Sequence, residues 1–135
     1  MSVMSQKNTY PRGEKLKSRK AINNLFLERK SFLVSPVRVY YSIRPADIGN
    51  VQAGFGSTKK YFKHAVKRNL IKRRMREAYR TQKQDLLAWA MTEHQQIDLF
   101  FLYGDNQIID FAEIQSKIFT TLQKLIHQFD KQQKS

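Results

Sequence analysis

The residues best suited to chemistry are cations gathered in one short stretch of the chain. Ten Lys and Arg residues lie from Lys59 to Arg80, and Glu77 is the single acid among them. The part from Lys63 to Arg80 contains no Gly or Pro, so it is predicted to be largely helical. Since ammonium and guanidinium groups bind phosphate well, a polyanion is the expected partner of this segment.

Helical spacing divides this segment into two faces. At about 100° per residue, an apolar set points one way and a polar set points the opposite way. The apolar set is Ile71, Met75, Ala78 and Tyr79, and the polar set is Asn69, Lys72, Arg73, Arg76 and Arg80. We expect the apolar set to dock on a core and the polar set to meet a phosphate backbone, where it would release condensed counterions.

Two other interpretations of the basic helix are a solvated surface and a helix lying on an anionic membrane. A membrane helix needs bulky apolar residues for the bilayer, but Ile71, Met75 and Tyr79 are assigned to the core. The cations should repel one another by roughly a few tenths of a kcal/mol per pair, with no acid on the helix spaced to relieve them. Because Arg both binds phosphate and stacks on bases, its abundance here favours nucleic acid.

No second group of residues suggests a self-sufficient enzyme. The chain has no cysteine, which excludes a thiolate nucleophile and a cysteine-bound zinc. The three histidines, His64, His94 and His127, are dispersed along the chain. The acids Asp98 and Asp105 fit strand-surface and turn positions better than a metal pair, so a two-metal protein nuclease is not expected.

Composition and charge indicate a single folded domain with one specialised surface. The 135 residues are 41% apolar and include sixteen aromatics, enough to form a core without disulfides. The net charge of +14 is uneven, with +16 in residues 1–80 and −2 in residues 81–135, which is typical of a nucleic-acid-binding face. We expect a flexible arm at 1–14 and one domain at 15–135. Without a signal sequence or spanning segment, a cytoplasmic location is expected.

Before the basic helix, periodicity predicts one helix. It begins after Ser18 as N-cap and carries Ile22, Leu25 and Phe26 on one face, as a helix packed on a core would. By spacing alone, Phe26 would be a core residue.

Two strands are predicted next. In the first, residues 37–43, the polar face carries Arg38, Tyr40 and Ser42, and an aromatic among polar neighbours suits stacking on unpaired bases. The second strand, at residues 51–57, is expected to pair antiparallel with the first. Its glycines, at 54 and 56, are expected to mark close approach of another backbone or a ligand.

After the basic helix, residues 86–91 either extend it or begin a short helix, with Trp89 as a core or core-edge anchor. Residues 97–103 form a further strand. The last helix starts after Asp110, with Glu113 placed as in a capping box, and runs to about Gln128. Helices packed on a small mixed sheet, an α+β fold, are the expected architecture.

Residues 65–80, AVKRNLIKRRMREAYR, resemble the signature of the protein subunit of bacterial ribonuclease P. That signature is an Arg-Asn-Arg motif followed by a Lys-Arg pair, here Arg68 to Arg73. The segments RKAINNLFLERKSF, SPVRVYY, GFGSTKK and IDLFFLY and the last helix extend the resemblance over about residues 15–129. It implies the order α-β-β-(β)-α-β-α, with a left-handed strand-helix-strand crossover.

The resemblance implies a subunit of an endoribonuclease whose catalytic centre lies in its RNA partner. That RNA holds most of the Mg²⁺ and removes the 5′ leader of precursor tRNA, while the protein binds both RNAs, needs no protein partner and supplies no catalytic residue. The positions implied for RNA binding are Arg68, Asn69, Lys72, Arg73, Arg76, Arg80, Lys59 and Lys60. Those implied for leader binding are Ile22, Phe26, Tyr40 and Arg38.

Two departures from the family pattern stand out. Leu70 occupies the third motif position, usually Arg, so that Lys67 or Arg74 would have to supply the missing cation. The loop Tyr61–His64 is one residue longer than usual and lacks a glycine. The alternative function is a non-catalytic ribosomal or RNA-assembly protein, which composition alone does not separate from the first.

Overall fold

The structure is a computed structural model that describes residues 16, 19–58, 64–105 and 107–134. The predicted arm at 1–14, the N-cap Ser18, the pair Lys59 and Lys60 and the loop residues 61–63 lie outside the described residues. The division into an arm and one domain stays a prediction.

Four helices and four strands make up the described part of the chain. In chain order they are α1 (Arg19–Glu28), β1 (Ser31–Val34), β2 (Val37–Pro45), β3 (Asn50–Ser57), α2 (Ala65–Arg80), α3 (Gln84–Glu93), β4 (Gln95–Tyr103) and α4 (Phe111–Lys134). The predicted α+β class is confirmed. A third strand before α2 is present, but it is β1, which precedes the two predicted strands instead of following them.

The four strands form one mixed sheet in the order β1-β2-β4-β3. The predicted antiparallel pairing of β3 with β2 is wrong, because β4 lies between them, antiparallel to β2 and parallel to β3. The β2–β3 connection passes close to the end of α3, where Ala46 N donates to His94 O at 2.9 Å. A Cβ on Gly49 would lie 1.9 Å from Ala90 O, so glycine lets the chain pass there.

The other differences concern helix boundaries. Residues 86–91 belong to a separate helix, α3, because α2 ends at Arg80 and the Gln82 side chain donates to the carbonyls of Ala78 and Gln115. The last helix continues past Gln128 to Lys134. Its predicted N-cap is confirmed, since Glu113 N donates to Asp110 Oδ1 at 2.9 Å.

The main core lies between one face of the sheet and helices α2, α3 and α4. Alternating strand residues supply one side of it, with Ile97, Leu99 and Phe101 of β4 fully buried. Trp89 packs at its edge, 5.8 Å from the Phe129 ring centroid, as predicted. Helix α1 packs on the opposite face, against β2 and β4.

Tyr103 fastens the connection between β4 and α4. Its hydroxyl donates to Gln107 O at 2.5 Å and accepts from Ile109 N at 3.2 Å. Burial raises the pKa of the Tyr103 phenol above its ordinary value of 10.0. The folded protein therefore keeps the phenol proton at a pH where the unfolded chain releases it, so stability falls as pH rises above about 10.

We expect Tyr103→Phe to lower the free energy of unfolding at pH 8 by about 1–3 kcal/mol, since Ile109 N and Gln107 O lose their partner. The variant should also lack the fall in stability at alkaline pH that the Tyr103 phenol causes. Urea unfolding from pH 8 to 11 measures both. If the free energies of unfolding of the wild type and the variant change with pH in parallel, the fall in stability does not come from Tyr103.

Candidate RNA-binding surfaces

Helix α2 has the two faces that its sequence predicts. Ile71, Met75 and Ala78 are fully buried and Tyr79 is 1% exposed. The predicted basic face comprises Asn69, Lys72, Arg73, Arg76 and Arg80. Asn69, Arg73 and Arg76 are exposed, and Lys72 and Arg80 are half-buried. Arg68, assigned by resemblance alone, is half-buried in the first turn of the helix.

One acid on the helix does relieve the repulsion, contrary to the expectation from sequence. Arg80 Nε donates to Glu77 Oε2 at 3.1 Å, and Arg80 Nη2 forms a second bond to Glu77 Oε1. The hydrogen bond from Arg80 holds the pKa of the Glu77 carboxyl below its usual value. Arg80 is therefore partly neutralised, and Arg73 and Arg76 are the exposed arginines of the face.

The irregular position Leu70 is half-buried. Leu70 and Phe111 line one cavity of about 380 Å³ between α2 and the start of α4. Arg74, one of two candidates to supply the missing cation, donates from Nη1 to Ile109 O at 3.0 Å. The other candidate, Lys67, is exposed. Of the two side chains, that of Lys67 is thus the more exposed.

A second surface, the aromatic cleft, lies on the opposite face of the sheet. It is defined by Phe26 of α1, Tyr40 of β2 and Phe100 of β4. The Phe26 ring centroid lies 4.7 Å from that of Tyr40 and 5.5 Å from that of Phe100, both edge to face. Phe26 is 38% exposed, so it is not the core residue that helical spacing alone predicted.

The other two residues predicted for leader binding are Arg38 of β2 and Ile22 of α1. Arg38 shares the face of Tyr40, as the alternation in β2 predicted, and its Nη1 donates to Ser31 Oγ at 3.1 Å. Ile22 is half-buried on α1, one turn before Phe26. Both therefore lie on the elements that form the cleft.

Phe100 was missed by the reasoning from sequence. Its signal was available, because Ile97, Leu99 and Phe101 alternate with Asp98 and Phe100, which places Phe100 on the polar side of the strand. The run of apolar residues in β4 concealed that alternation. Side chains of β4 thus contribute to both faces of the sheet.

The glycines of β3 make room for the Phe100 ring. A Cβ on Gly54 would lie 2.9 Å from Phe100 Cδ1 and 3.1 Å from Leu16 O, and one on Gly56 would lie 2.8 Å from Phe100 Cζ. The predicted close approach is therefore made by a ring and a backbone oxygen. Phe55, between them, points to the other face, where its ring centroid lies 5.7 Å from that of Tyr79 in α2. Strand β3 thus links the cleft to the basic helix.

Two further features of the described residues concern metal ligands and membrane-spanning helices. Over the ranges that the structure describes, no three His, Asp or Glu side chains are grouped as metal ligands would be. That Mg²⁺ is held mainly by an RNA stays a prediction. None of the described helices has both the length and the apolar character needed to cross a membrane.

Comparison with known proteins supports the resemblance. The family model of ribonuclease P matches residues 10–126. The ribonuclease P protein component of Porphyromonas gingivalis is 36% identical over 106 residues, covering 77% of each chain. That of Chlorobium phaeobacteroides is 30% identical over 122 residues, covering 82% of this chain and 84% of the relative.

Solved structures show the same fold. A Staphylococcus aureus RNase P protein, a mutant with defective mRNA degradation activity, is 19% identical with a TM-score of 0.68, covering 93% of this chain and 98% of that one. The RNase P protein from Thermotoga maritima is 22% identical with a TM-score of 0.63, covering 82% and 96%.

The matching structures define the class of this protein: it is a small α+β protein with the fold of RNase P proteins. The chain belongs to the family of ribonuclease P protein subunits. It is therefore a subunit of a ribonucleoprotein that processes tRNA, and its partner is ribonuclease P RNA. The family match also decides against a ribosomal or assembly protein.

Proposed function

We propose that the basic face of α2 binds ribonuclease P RNA and that the aromatic cleft binds the 5′ leader of precursor tRNA. The observation that carries this proposal is the exposure of Arg73 and Arg76 on a helix whose opposite side is buried. A helix fixed in the core can hold cations towards a phosphate backbone without itself having to fold on binding.

The proposed RNA contacts are those implied by the family motif. They are Arg68, Asn69, Lys72, Arg73, Arg76 and Arg80, with Lys59 and Lys60 outside the described residues. The proposed leader contacts are Ile22, Phe26, Tyr40 and Arg38, to which we add Phe100. An exposed aromatic cluster suits a single strand because every base has a face on which to stack.

The protein's part in the reaction is to bind and orient RNA. In this proposal the RNA partner carries the catalytic centre and most of the Mg²⁺, and it hydrolyses the phosphodiester bond between leader and tRNA. The compartment proposed is the cytoplasm. The cations of α2 would offset repulsion between the two RNAs, so the protein should matter most when magnesium is scarce.

Reconstitution with ribonuclease P RNA tests this function. At low magnesium, the protein should accelerate cleavage of precursor tRNA, and its effect on substrate affinity should grow as the leader is lengthened from zero nucleotides. Single-turnover cleavage and substrate binding are the measurements. Absence of stimulation, together with equal affinity for substrates with and without a leader, would reject the proposal.

A further inference from the structure

A second cavity, of about 320 Å³, lies on the same face of the sheet as the aromatic cleft. Its lining residues come from α1, β2 and β4: Ala21, Asn24, Leu25, Glu28, Ser42, Arg44 and Asp98. Ser42 pairs with Asp98 in the strand register, two residues beyond the pair Tyr40 and Phe100. The cavity and the cleft are therefore neighbours that share α1 as a wall. None of the family positions assigned above lies in it.

One wall of this cavity is a fixed polar network. Arg44 Nη1 donates to Asp98 Oδ2 at 3.0 Å, and Gln96 Nε2 donates to Asp98 Oδ1 at 3.0 Å. The Asp98 side chain is only 8% exposed, whereas that of Arg44 is 54% exposed. Asp98 thus holds the planar guanidinium at the mouth of the cavity, with most of its donors available.

Three polar side chains of the lining, one on β2 and two on α1, have no side-chain partner among the described residues. Ser42 is 9% exposed, and its hydroxyl bonds to none of the residues that the structure describes. Asn24 and Glu28, on α1, likewise have no side-chain hydrogen bond within the described ranges. An enclosed hydroxyl without a partner is unfavourable in a folded protein. The nearly buried Ser42 hydroxyl, together with the exposed side chains of Asn24 and Glu28, is therefore available to a polar ligand in this cavity.

The mixed charge of the lining limits the chemistry of that ligand. A phosphate would meet the Glu28 and Asp98 carboxylates, and a metal cation would meet the Arg44 guanidinium. A neutral ligand with both donors and acceptors avoids both conflicts. An unstacked nucleobase has those properties and can enter a pocket when its strand is single.

We propose that this cavity binds one unstacked guanine of an RNA bound to the protein, an inference that rests on the proposed function. Guanine alone among the bases presents two adjacent donors, N1–H and the 2-amino group, to a single carboxylate, here Glu28. Its O6 and N7 atoms are acceptors, which Arg44 and Asn24 can serve. Leu25, 1% exposed, provides an apolar surface. The guanine belongs either to the leader or to ribonuclease P RNA.

The variant Glu28→Gln tests the proposal, because its expected effect on RNA affinity is opposite to the effect that net charge alone predicts. Removing an acid from a protein of charge +14 should strengthen RNA binding slightly, but loss of a two-point guanine contact should weaken it about tenfold. The matched control is Glu93→Gln, an exposed acid at the end of α3, which should not weaken binding. Circular dichroism confirms that both variants are folded.

The source of the guanine is found with two binding measurements. Weakening in the binary complex with ribonuclease P RNA assigns the guanine to that RNA; weakening only with precursor tRNA assigns it to the leader. In the second case, one guanosine is moved along a uridine leader and then replaced by inosine, which lacks the 2-amino group. Inosine should weaken wild-type binding but leave Glu28→Gln unchanged, as expected for two partners of one contact.

Three outcomes would overturn the proposal. In the first, Glu28→Gln binds both RNAs as Glu93→Gln does. In the second, its defect is removed by added Mg²⁺ and is independent of guanosine, so that the cavity holds a cation. In the third, the wild-type protein binds neither RNA, and the proposed function fails too. The first two leave that function standing, so the failures are distinguishable.

Discussion

The double variant Arg73→Ala/Arg76→Ala should bind ribonuclease P RNA more weakly than the wild type and with a shallower dependence on salt. Each lost phosphate contact lowers the slope of log K against log salt by roughly 0.7 to 0.9, so two contacts should lower it by about 1.4 to 1.8. Both side chains are exposed on α2, and their removal should not affect the core. Filter binding at several salt concentrations measures the slope.

The matched control is Lys124→Ala/Lys131→Ala, which removes the same charge from exposed positions on α4. Lys124 lies beside Phe32 and Leu33 of β1, the edge strand farthest in the sheet from β3. If the charge acts only through the net charge of the protein, both double variants will show the same slope. That result would indicate that the basic face is a solvated surface and not an RNA-binding site.

The second large effect is expected at the aromatic cleft. Tyr40→Ala should weaken binding of precursor tRNA by about 1–3 kcal/mol if one leader base stacks there. Binding of mature tRNA, which has no leader, should not change. Titration of both RNAs into the reconstituted enzyme measures the difference.

Tyr40→Phe is the control for this variant, because it keeps the ring and removes only the hydroxyl. It should retain most of the affinity for the leader. Since Tyr40 also supports the Phe26 ring at 4.7 Å, thermal unfolding of each variant is needed beside the binding data. A lower melting temperature with unchanged leader binding would make Tyr40 structural.

The proposed guanine cavity would extend the cleft's role from holding a strand to reading one base. Stacking on Phe26, Tyr40 and Phe100 tolerates any sequence. Hydrogen bonding by Glu28 does not, because an ionised carboxylate only accepts hydrogen bonds and guanine is the base that presents two adjacent donors to it. The two sites lie on either side of α1. Variants of the cleft should therefore change affinity for any single strand, whereas variants of the cavity should change base preference.

Much of the structure of this protein follows from local patterns in its sequence. The period of α2 separated Ile71 and Met75 from Arg73 and Arg76 correctly, because side chains 3.6 residues apart share a face whatever surrounds the helix. The alternation in β2 placed Tyr40 on the polar face for the same reason. The Glu77–Arg80 ion pair, three residues apart on one helix, was also within reach of that reasoning, which overlooked it.

Contacts between distant elements were decided by the tertiary structure. Nothing local indicated that β4 would enter between β2 and β3, since strand order depends on how the connections and helices pack over the whole sheet. The same insertion brings Phe100 from β4 against Phe26 and gives Gly54 its close neighbour. Periodicity indicates which side chains share one face of an element, but only packing determines which other face they meet. For that reason the basic helix was predictable from sequence, whereas the complete aromatic cleft was not.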